Sequence, residues 1–325
     1  MSLCLLIQPI HQSGIDLLTH AGLEVRQASA ATMDVVSEEI VPAVAAITRN
    51  AGLNRTAMAA AGQLRVLGNH GIGVDPVDVS YATEIGLPII FTPYGNVQSV
   101  AEFTLGQMIA ISKRTREADR AVREGNYDYR YTRDFCELHG KTLAIIGFGR
   151  TGRRTAEIAK AAFSMRVIAF DPYVDGREMT ALGMEKWEDL NAVLETADVV
   201  SLHLQLTPET RGLLNRDYIF KMKKDAMLVN TARGALVDDD ALVDALETGH
   251  LRGAAMDVFE EEPLPVEHPF AKTEKLVLSP HIAGATEECL ERTAVQTAEQ
   301  VLTVLEGRRP DHLVNPEAWD RRRFS

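Results

Sequence analysis

The stretch Leu143-Ala144-Ile145-Ile146-Gly147-Phe148-Gly149-Arg150-Thr151-Gly152 joins an apolar strand to the glycine pattern G-x-G-x-x-G. A helix is predicted over residues 153–162, and a second strand over residues 166–170 is followed by Asp171. These glycines allow a tight turn, a close approach of phosphate to the backbone and close helix packing, while the acid can bind ribose hydroxyls. The helix N-terminus offers N–H groups and a positive dipole end. The stretch therefore predicts a dinucleotide site, the alternative being a glycine-rich turn in another α/β domain.

Strands and helices alternate through all 325 residues, a length that suits two domains. This alternation predicts an α/β fold with two doubly wound domains, each built on a parallel sheet. The predicted strands are residues 3–8, 44–48, 65–68 and 88–91, then 143–147, 166–170, 199–204, 227–230, 254–258 and 276–279. A last helix is predicted over residues 287–306 and returns the chain to the first domain. We therefore expect residues 99–287 to form a dinucleotide-binding domain inserted into a domain made of residues 1–98 and 288–325.

The composition excludes several classes of function. A formal net charge of -12 argues against a nucleic-acid partner or an anionic membrane surface. No apolar run approaches a membrane span, and the first residues lack the features of a signal peptide. The three cysteines, Cys4, Cys136 and Cys289, are scattered, and no metal-ligand pattern is present. We expect a cytoplasmic protein with no metal, no membrane partner and no nucleic-acid partner.

Residues 69–75 and 125–139 each allow more than one interpretation, and the segments between them predict helices. Two glycines in Asn69-His70-Gly71-Ile72-Gly73-Val74-Asp75 can expose N–H groups to an anion, or can simply form a turn. Asp75-Pro76 predicts a helix start. Ser99-Val100-Ala101-Glu102 predicts a capping box at the crossing between domains, followed by one helix to about residue 123. Residues 125–139 are polar and aromatic and predict an irregular loop over a partner or a cleft.

Polar groups recur where strands of the second sheet are predicted to end, which is where ligands bind in such folds. They lie in the segments 201–210, 230–234, 257–263 and 279–286. Each has an ordinary explanation by itself, such as a surface ion pair, a solvated acidic run or a satisfied core histidine. Together they supply a cation, a carboxylate and an imidazole beside a dinucleotide site. Hydride transfer to or from a hydroxy acid needs these groups.

With these segments the chain resembles the D-isomer-specific 2-hydroxyacid dehydrogenase family, in particular its phosphoglycerate-dehydrogenase-like members without a C-terminal regulatory domain. The resemblance covers nearly the whole chain through N-H-G-I-G-V-D, S-V-A-E, G-F-G-R-T-G, H-L-Q-L-T-P-E-T, N-T-A-R-G, D-V-F-E-E-E-P and S-P-H-I-A-G-A-T. It implies a flavodoxin-like substrate domain, a Rossmann NAD-binding domain, a homodimer and a small anionic 2-hydroxy or 2-keto acid as substrate. Gln205 stands where the family often has proline.

The resemblance also implies roles for single residues. Arg233 would bind the substrate carboxylate, His281 would move the hydroxyl proton, and Glu262, immediately before Pro263, would orient the imidazole. It implies that the cofactor is bound by Gly147, Gly149, Arg150, Thr151, Gly152, Asp171, His203, Thr207, Thr231, Ala232, Arg233, Asp257, His281 and Gly284. It implies that the substrate is bound by Arg49, Asn69, His70, Gly71, Ile72, Gly73, Arg233 and His281.

Two residues bear on which cofactor is bound and which class of substrate is used. Asp171 favours NAD, because its charge would oppose a 2′-phosphate, although Arg177 is close enough in sequence to weaken that preference. Arg49 lies where some relatives bind a second anionic group, such as phosphate, sulfonate or carboxylate, and is equally well explained as a surface arginine.

There are two alternatives to a 2-hydroxyacid dehydrogenase. One is an NAD(H)-sensing protein similar to the corepressors of this fold, and the other is an enzyme that acts on formate or phosphite. For the homodimer, the crossing helix and residues 127–135 are the candidate interface.

Overall fold

The computed structural model describes residues 1–324. The chain forms two compact units: the first consists of Met1–Asn96 and the segment from Ala285 onward, and the second consists of Val97–Gly284. Each unit is built on its own parallel sheet. Among the described residues no helix is long and apolar enough to cross a bilayer.

The first unit contains a five-stranded parallel sheet with α-helices around it. Its strands are β1 Ser2–Leu6, β2 Leu23–Gln27, β3 Ala43–Thr48, β4 Val66–Asn69 and β5 Ile89–Phe91, in the spatial order β2-β1-β3-β4-β5. Its helices are α1 Gln12–His20, α2 Met33–Glu39, α3 Arg55–Ala60, α4 Val79–Glu84 and α12 Glu287–Leu305. This strand order is that of flavodoxin-like folds. The prediction of a doubly wound parallel sheet is confirmed here.

Two local predictions in the first unit are incomplete or wrong. Strand β2 was not predicted, because it lies at the sheet edge with mostly exposed or half-buried residues and carries no apolar run. The helix predicted at Asp75-Pro76 begins instead at Val79, where the Asp78 carboxylate accepts the Tyr81 N–H at 2.9 Å. An aspartate three residues further along therefore caps the helix.

The second unit contains a seven-stranded parallel sheet. Its strands are β6 Thr142–Ile146, β7 Arg166–Phe170, β8 Glu185–Lys186, β9 Val199–Leu202, β10 Met227–Asn230, β11 Gly253–Met256 and β12 Leu276–Leu278, in the order β12-β11-β10-β9-β6-β7-β8. Its helices are α5 Val97–Lys113, α6 Thr115–Arg123, α7 Arg150–Phe163, α8 Gly176–Ala181, α9 Leu190–Thr196, α10 Arg216–Lys221 and α11 Asp239–Glu247. The strand order reverses beside β6, and ligands bind at such a switch point.

Burial on both faces of the second sheet explains its apolar strands. Along β6, Leu143 and Ile145 belong to one apolar cluster, whereas Ala144 and Ile146 belong to the cluster on the opposite face. Because side chains alternate along a strand, a sheet covered on both sides needs apolar residues at every position. Ligand-binding polar groups of this unit are therefore expected at the strand ends and in the loops that follow them.

The single helix predicted after residue 99 is in fact two helices. Arg114 has a left-handed backbone with φ 49° and separates α5 from α6. Its guanidinium is buried and donates to Asp134 at 2.9 Å and to the carbonyl of Arg252 at 2.7 Å. These two bonds hold the chain at the break, and the irregular segment that follows contains a 3-10 turn at Tyr127–Tyr131.

Candidate active site

The glycine loop joins β6 to α7. Gly147 has φ +95°, and a Cβ at this position would lie 2.7 Å from the carbonyl oxygen of His203. A Cβ on Gly152 would lie 2.1 Å from the carbonyl oxygen of Gly147. These two glycines are therefore required by the folding of the loop itself.

Gly149 differs from the other two glycines of the loop. A Cβ at Gly149 would meet no atom within 4 Å, and its backbone is extended with φ -71° and ψ -164°. It is also the N-cap of α7, where no side chain caps the helix. Within residues 1–324, the N–H groups of Thr151 and Gly152 donate to no protein acceptor. The loop thus presents open space and free donors at a helix N-terminus, which fits the pyrophosphate of a dinucleotide.

Asp171 follows β7 and holds the glycine loop. Its Oδ2 accepts the N–H of Phe148 at 2.8 Å, and its Oδ1 accepts the N–H of Tyr173 at 2.8 Å. A carboxylate oxygen can accept a second bond, so these contacts leave capacity for ribose hydroxyls. The acid therefore lies beside the loop, as a ribose ligand must.

Two residues after β9 were predicted to lie along the cofactor. The His203 Nε2 lies 2.9 Å from the Ser201 hydroxyl, and burial lowers the pKa of His203 to about 4. The imidazole is therefore neutral at physiological pH. Thr207 belongs to a turn in which its N–H donates to the Thr210 hydroxyl at 2.8 Å. That hydroxyl also donates to the carbonyl of Gln205 at 2.8 Å, so the position where the family often has proline contributes to a closed turn.

The segment after β10 carries Arg233. Buried Asn230 accepts the N–H of Ala232 at 3.0 Å and donates to the carbonyl of Arg233 at 2.8 Å, which shapes the loop. A Cβ on Gly234 would lie 2.0 Å from the carbonyl carbon of Phe259, so only glycine allows this loop to pack on the segment after β11. The half-buried Arg233 guanidinium donates to the carbonyl of Ala232 at 2.6 Å.

A hydrogen bond joins Glu262 and His281, which lie in the segments after β11 and β12. The Glu262 Oε2 lies 2.8 Å from the His281 Nδ1, and its Oε1 accepts the Phe259 N–H at 3.0 Å. Burial raises the pKa of Glu262, but the hydrogen bonds from His281 and Phe259 and the positive charges of His281 and Arg233 together lower it below its usual value. The carboxylate therefore stays ionised between two cationic or potentially cationic groups.

Asp257 organises the backbone that carries His281. The carboxylate is 1% exposed and accepts the Ser279 hydroxyl at 2.6 Å, the Ile282 N–H at 3.0 Å and the Ala283 N–H at 2.9 Å. Burial raises the pKa of Asp257 more than these bonds lower it. Asp257 was predicted to bind the cofactor, and the structure shows both of its oxygens bonded to the segment 279–283.

Buried polar residues on α5 contact the same segments, which the sequence does not predict. The Ser99 hydroxyl donates to the carbonyl of Ala283 at 2.6 Å, the Thr104 hydroxyl lies 3.0 Å from that of Thr231, and the Gln107 amide lies 3.5 Å from the Ser279 hydroxyl. The predicted capping box is wrong, because α5 begins at Val97 and Ser99 lies inside it. Their burial in an otherwise apolar helix is a tertiary property that the sequence pattern did not reveal.

The first unit holds the remaining predicted substrate residues at the ends of β3 and β4. The Asn69 amide donates to the carbonyls of Gly71 at 3.1 Å and Gly73 at 3.0 Å, and the Gly71 N–H donates to the Asn69 carbonyl at 2.9 Å. In the described part of the chain, the N–H groups of Ile72 and Gly73 donate to no protein acceptor. This turn therefore offers two backbone donors rather than three.

Arg49 and His70 lie near each other in the first unit. Burial, together with the charge of Arg49, lowers the pKa of His70 to about 4, so His70 is neutral at physiological pH. The His70 Nε2 is buried without a protein partner in residues 1–324. Arg49 donates to the carbonyl of Pro9 at 3.1 Å, and burial lowers its pKa, but no described carboxylate forms a salt bridge with it. Arginine nevertheless keeps its charge.

No group of three or more His, Cys, Asp or Glu side chains that could hold a metal ion is found within residues 1–324. The arrangement in the second unit is thus an acid–base pair, a guanidinium and a loop suited to a dinucleotide.

Comparison with known proteins agrees with this arrangement. Residues 105–283 match the family described as D-isomer specific 2-hydroxyacid dehydrogenase, NAD binding domain. This match confirms the prediction that NAD is the cofactor. The chain is 38% identical over 312 residues to D-3-phosphoglycerate dehydrogenase of Methanocaldococcus jannaschii, covering 96% of this chain and 59% of that protein. It is 41% identical over 263 residues to glyoxylate reductase of Thermofilum pendens, covering 80% of this chain and 77% of that protein.

Solved structures show the same architecture. The TT0316 protein from Thermus thermophilus is 36% identical with a TM-score of 0.88, and the match covers 96% of this chain and 99% of that chain. D-lactate dehydrogenase from Aquifex aeolicus, complexed with NAD and lactic acid, is 26% identical with a TM-score of 0.84, covering 97% of this chain and 99% of that chain.

Proposed function

Because the chain belongs to the D-isomer-specific 2-hydroxyacid dehydrogenase family, we propose that it is an NAD-dependent enzyme that interconverts a small 2-hydroxy acid and the corresponding 2-keto acid. The observation that carries this proposal is the 2.8 Å pair between Glu262 and His281, with the charge of Arg233 close enough to lower the Glu262 pKa. A proton-transfer group and a carboxylate-binding cation are what this reaction requires of the protein.

A bound nicotinamide would supply the hydride acceptor or donor for C2 of the substrate. The loop at Gly149 and the N–H groups of Thr151 and Gly152 would hold the pyrophosphate, and Asp171 the ribose. Asp171 would also favour NAD over a cofactor with a 2′-phosphate. The remaining chemistry belongs to the side chains of the segments after β10, β11 and β12.

The pairing with Glu262 determines which nitrogen of His281 can act. A carboxylate only accepts hydrogen bonds, so Nδ1 carries a proton and Nε2 is the nitrogen left for the substrate. Nε2 would take the hydroxyl proton during oxidation and return it to the carbonyl oxygen during reduction. Glu262 would stabilise the imidazolium formed in between. Arg233 would bind the substrate carboxylate through its planar set of donors.

NADH oxidation with a panel of 2-keto acids tests this proposal. We expect turnover with at least one of them, and a severe loss of turnover in His281→Ala with NADH binding nearly unchanged. His139→Ala, at an exposed histidine of the same unit, is the matched control and should behave like the wild type. Tight NADH binding without turnover of any keto acid would instead indicate an NAD(H)-sensing protein.

We further propose that the substrate carries a second anionic group, bound by Arg49 with neutral His70 beside it. The support is a half-buried guanidinium without a carboxylate partner in the described residues. One relative is named for phosphoglycerate, which has a second anionic group, and another for glyoxylate, which has none. The chain spans 59% of the first of these relatives, so its substrate is a proposal for this chain.

A comparison of keto acids with and without a second anionic group tests the role of Arg49. Arg49→Ala should lower kcat/KM for the doubly anionic acids by at least about tenfold, because a charge-assisted contact is lost, and change it little for the others. Arg55→Ala is the control, since Arg55 is an exposed arginine in the same unit. An equal loss for both classes of acid would refute this role.

We propose a homodimer in the cytoplasm. Large apolar side chains are exposed on α5, α6 and the segment that follows: Ile109 at 38%, Val122 at 57%, Tyr127 at 66%, Tyr131 at 65% and Phe135 at 37%. Several exposed large apolar side chains within one stretch of the chain support an interaction surface. All three cysteines are free, which suits a reducing compartment. Light scattering of the wild type and of Tyr127→Ser with Tyr131→Ser tests the dimer, which the double substitution should weaken.

A further inference from the structure

The segment 279–283 carries His281 in an unfavourable backbone conformation. His281 has φ 54°, in the left-handed region that disfavours side chains other than those of glycine and a few polar residues. Its N–H donates to the carbonyls of Asp257 at 2.7 Å and Ser279 at 3.1 Å. A residue held in this region needs surrounding contacts that prevent its relaxation. The contacts that hold the segment therefore control where the imidazole lies.

The sheet side of the segment is held by Asp257, as described above. Its carboxylate accepts the N–H groups of Ile282 and Ala283, the two residues after His281. Together with the bond from the Ser279 hydroxyl, these bonds restrain donors of the segment and none of its carbonyls. The carbonyl of Ala283 faces the other way and needs its own partner.

That partner is Ser99 on the first turn of α5. Its hydroxyl donates to the Ala283 carbonyl at 2.6 Å, and its side chain is 4% exposed. Ala283 is itself 3% exposed, so water does not readily replace the serine. With Asp257 on one side and Ser99 on the other, both backbone polar groups of Ala283 are bonded, and the segment is fixed from two elements.

We propose that Ser99 is a positioning residue for the acid–base histidine and acts through the segment 279–283. The inference rests on the proposed function for its effect on turnover, but the contact itself belongs to the fold. Removing the hydroxyl leaves the buried Ala283 carbonyl without a donor, and the segment regains freedom to relax at His281. A small displacement of a proton-transfer group is enough to slow a reaction by up to about 100-fold.

The test compares Ser99→Ala with Ser112→Ala, a matched control on the same helix. Ser112 is 0% exposed, and its hydroxyl donates to the carbonyl of Ile109 at 3.1 Å, within α5. We expect Ser99→Ala to lower kcat by about 10- to 100-fold, to leave the NADH dissociation constant within about twofold, and to raise the solvent deuterium isotope effect on kcat. Ser112→Ala should keep all three values. Ser99→Cys, which keeps a weaker donor on a larger atom, should fall between Ser99→Ala and the wild type.

Hydrogen exchange of the peptide containing residues 279–283 gives a readout that does not depend on activity. Exchange at Ile282 and Ala283 should be at least about tenfold faster in Ser99→Ala and unchanged in Ser112→Ala. Unchanged exchange, or wild-type kcat in a folded Ser99→Ala, would overturn the positioning role. If the wild type oxidises NADH with no keto acid, the proposed function fails, while the exchange rates still decide whether Ser99 holds the segment.

Discussion

Two glycines of the loop after β6, Gly149 and Gly152, should respond differently to the same substitution. A methyl group on Gly152 would lie 2.1 Å from the carbonyl oxygen of Gly147, whereas a methyl group on Gly149 would meet no atom within 4 Å. Gly149→Ala and Gly152→Ala therefore separate the demands of folding from the demands of cofactor binding.

The structure sets the expected sizes of the two effects. Overpacking against a backbone atom costs about 1–3 kcal/mol or more, so Gly152→Ala should lower the free energy of unfolding by about 3 kcal/mol. At Gly149 the backbone is extended, with φ -71°, and alanine accepts it. The loss of glycine as N-cap and the smaller entropy of the unfolded chain nearly cancel, so Gly149→Ala should change stability by no more than about 0.5 kcal/mol.

For NADH affinity, Gly149→Ala should be the damaging substitution although it leaves stability nearly unchanged. If the pyrophosphate approaches the backbone at Gly149, the alanine methyl group of Gly149→Ala occupies the space that the pyrophosphate needs. NADH affinity should then fall at least about tenfold, or about 1.4 kcal/mol. Fluorescence titration with NADH and urea denaturation of the same samples measure both effects. A Gly149→Ala variant that is as stable as the wild type and binds NADH equally well would refute the placement of the pyrophosphate.

Three other substitutions have effects that follow from the structure. Glu262→Gln should lower kcat/KM by about 100-fold or more with NADH affinity kept, because the charged partner of His281 is lost; steady-state kinetics that show less than a threefold loss would contradict this. Asp257→Ala should lower the free energy of unfolding by about 2–4 kcal/mol in urea titrations, because three buried donors lose their acceptor; an unchanged midpoint would be inconsistent with those bonds. Burial raises the pKa of Asp239 from 3.8 to about 6 despite His268 nearby, so ionisation costs stability as pH rises from about 4 through 6. Asp239→Asn should therefore be more stable than the wild type by about 1 kcal/mol at pH 8. This value is smaller than the full pKa shift implies, because 27% of the Asp239 side chain is exposed and solvent screens its charge. Thermal melts measure the difference, which should shrink at about pH 4.5.

Much of the fold was predictable because its signals are local. The run 143–152 specifies strand, turn and helix within consecutive residues, and the structure forms β6, the glycine loop and α7 there. Buried strands carry apolar runs, which is why the sequence predicts the central strands and the apolar edge strands β5 and β12. The edge strands β2 and β8 have few buried residues and are not predicted. An edge strand is stabilised by its neighbour in the sheet rather than by its own apolar residues.

The candidate site was partly predictable for a related reason. Parallel strands bring their carboxyl ends to one edge of a sheet, so polar segments after β9, β10, β11 and β12 could be expected to lie together. The pairing of Glu262 with His281 follows that expectation and was chosen over the neighbouring glutamates by the resemblance to a family. The structure adds the 2.8 Å distance and the second bond of Glu262 to Phe259.

The sequence by itself determined the two doubly wound sheets and the loop suited to a dinucleotide, because strand periodicity and glycine geometry act over a few residues. Only the tertiary structure decided how the segment around His281 is held. Ser99 and Ala283 are 184 positions apart, and a serine followed three residues later by a glutamate looks the same whether it caps a helix or faces a buried carbonyl. Which role it takes depends on what packs against α5, and that is a property of the folded chain.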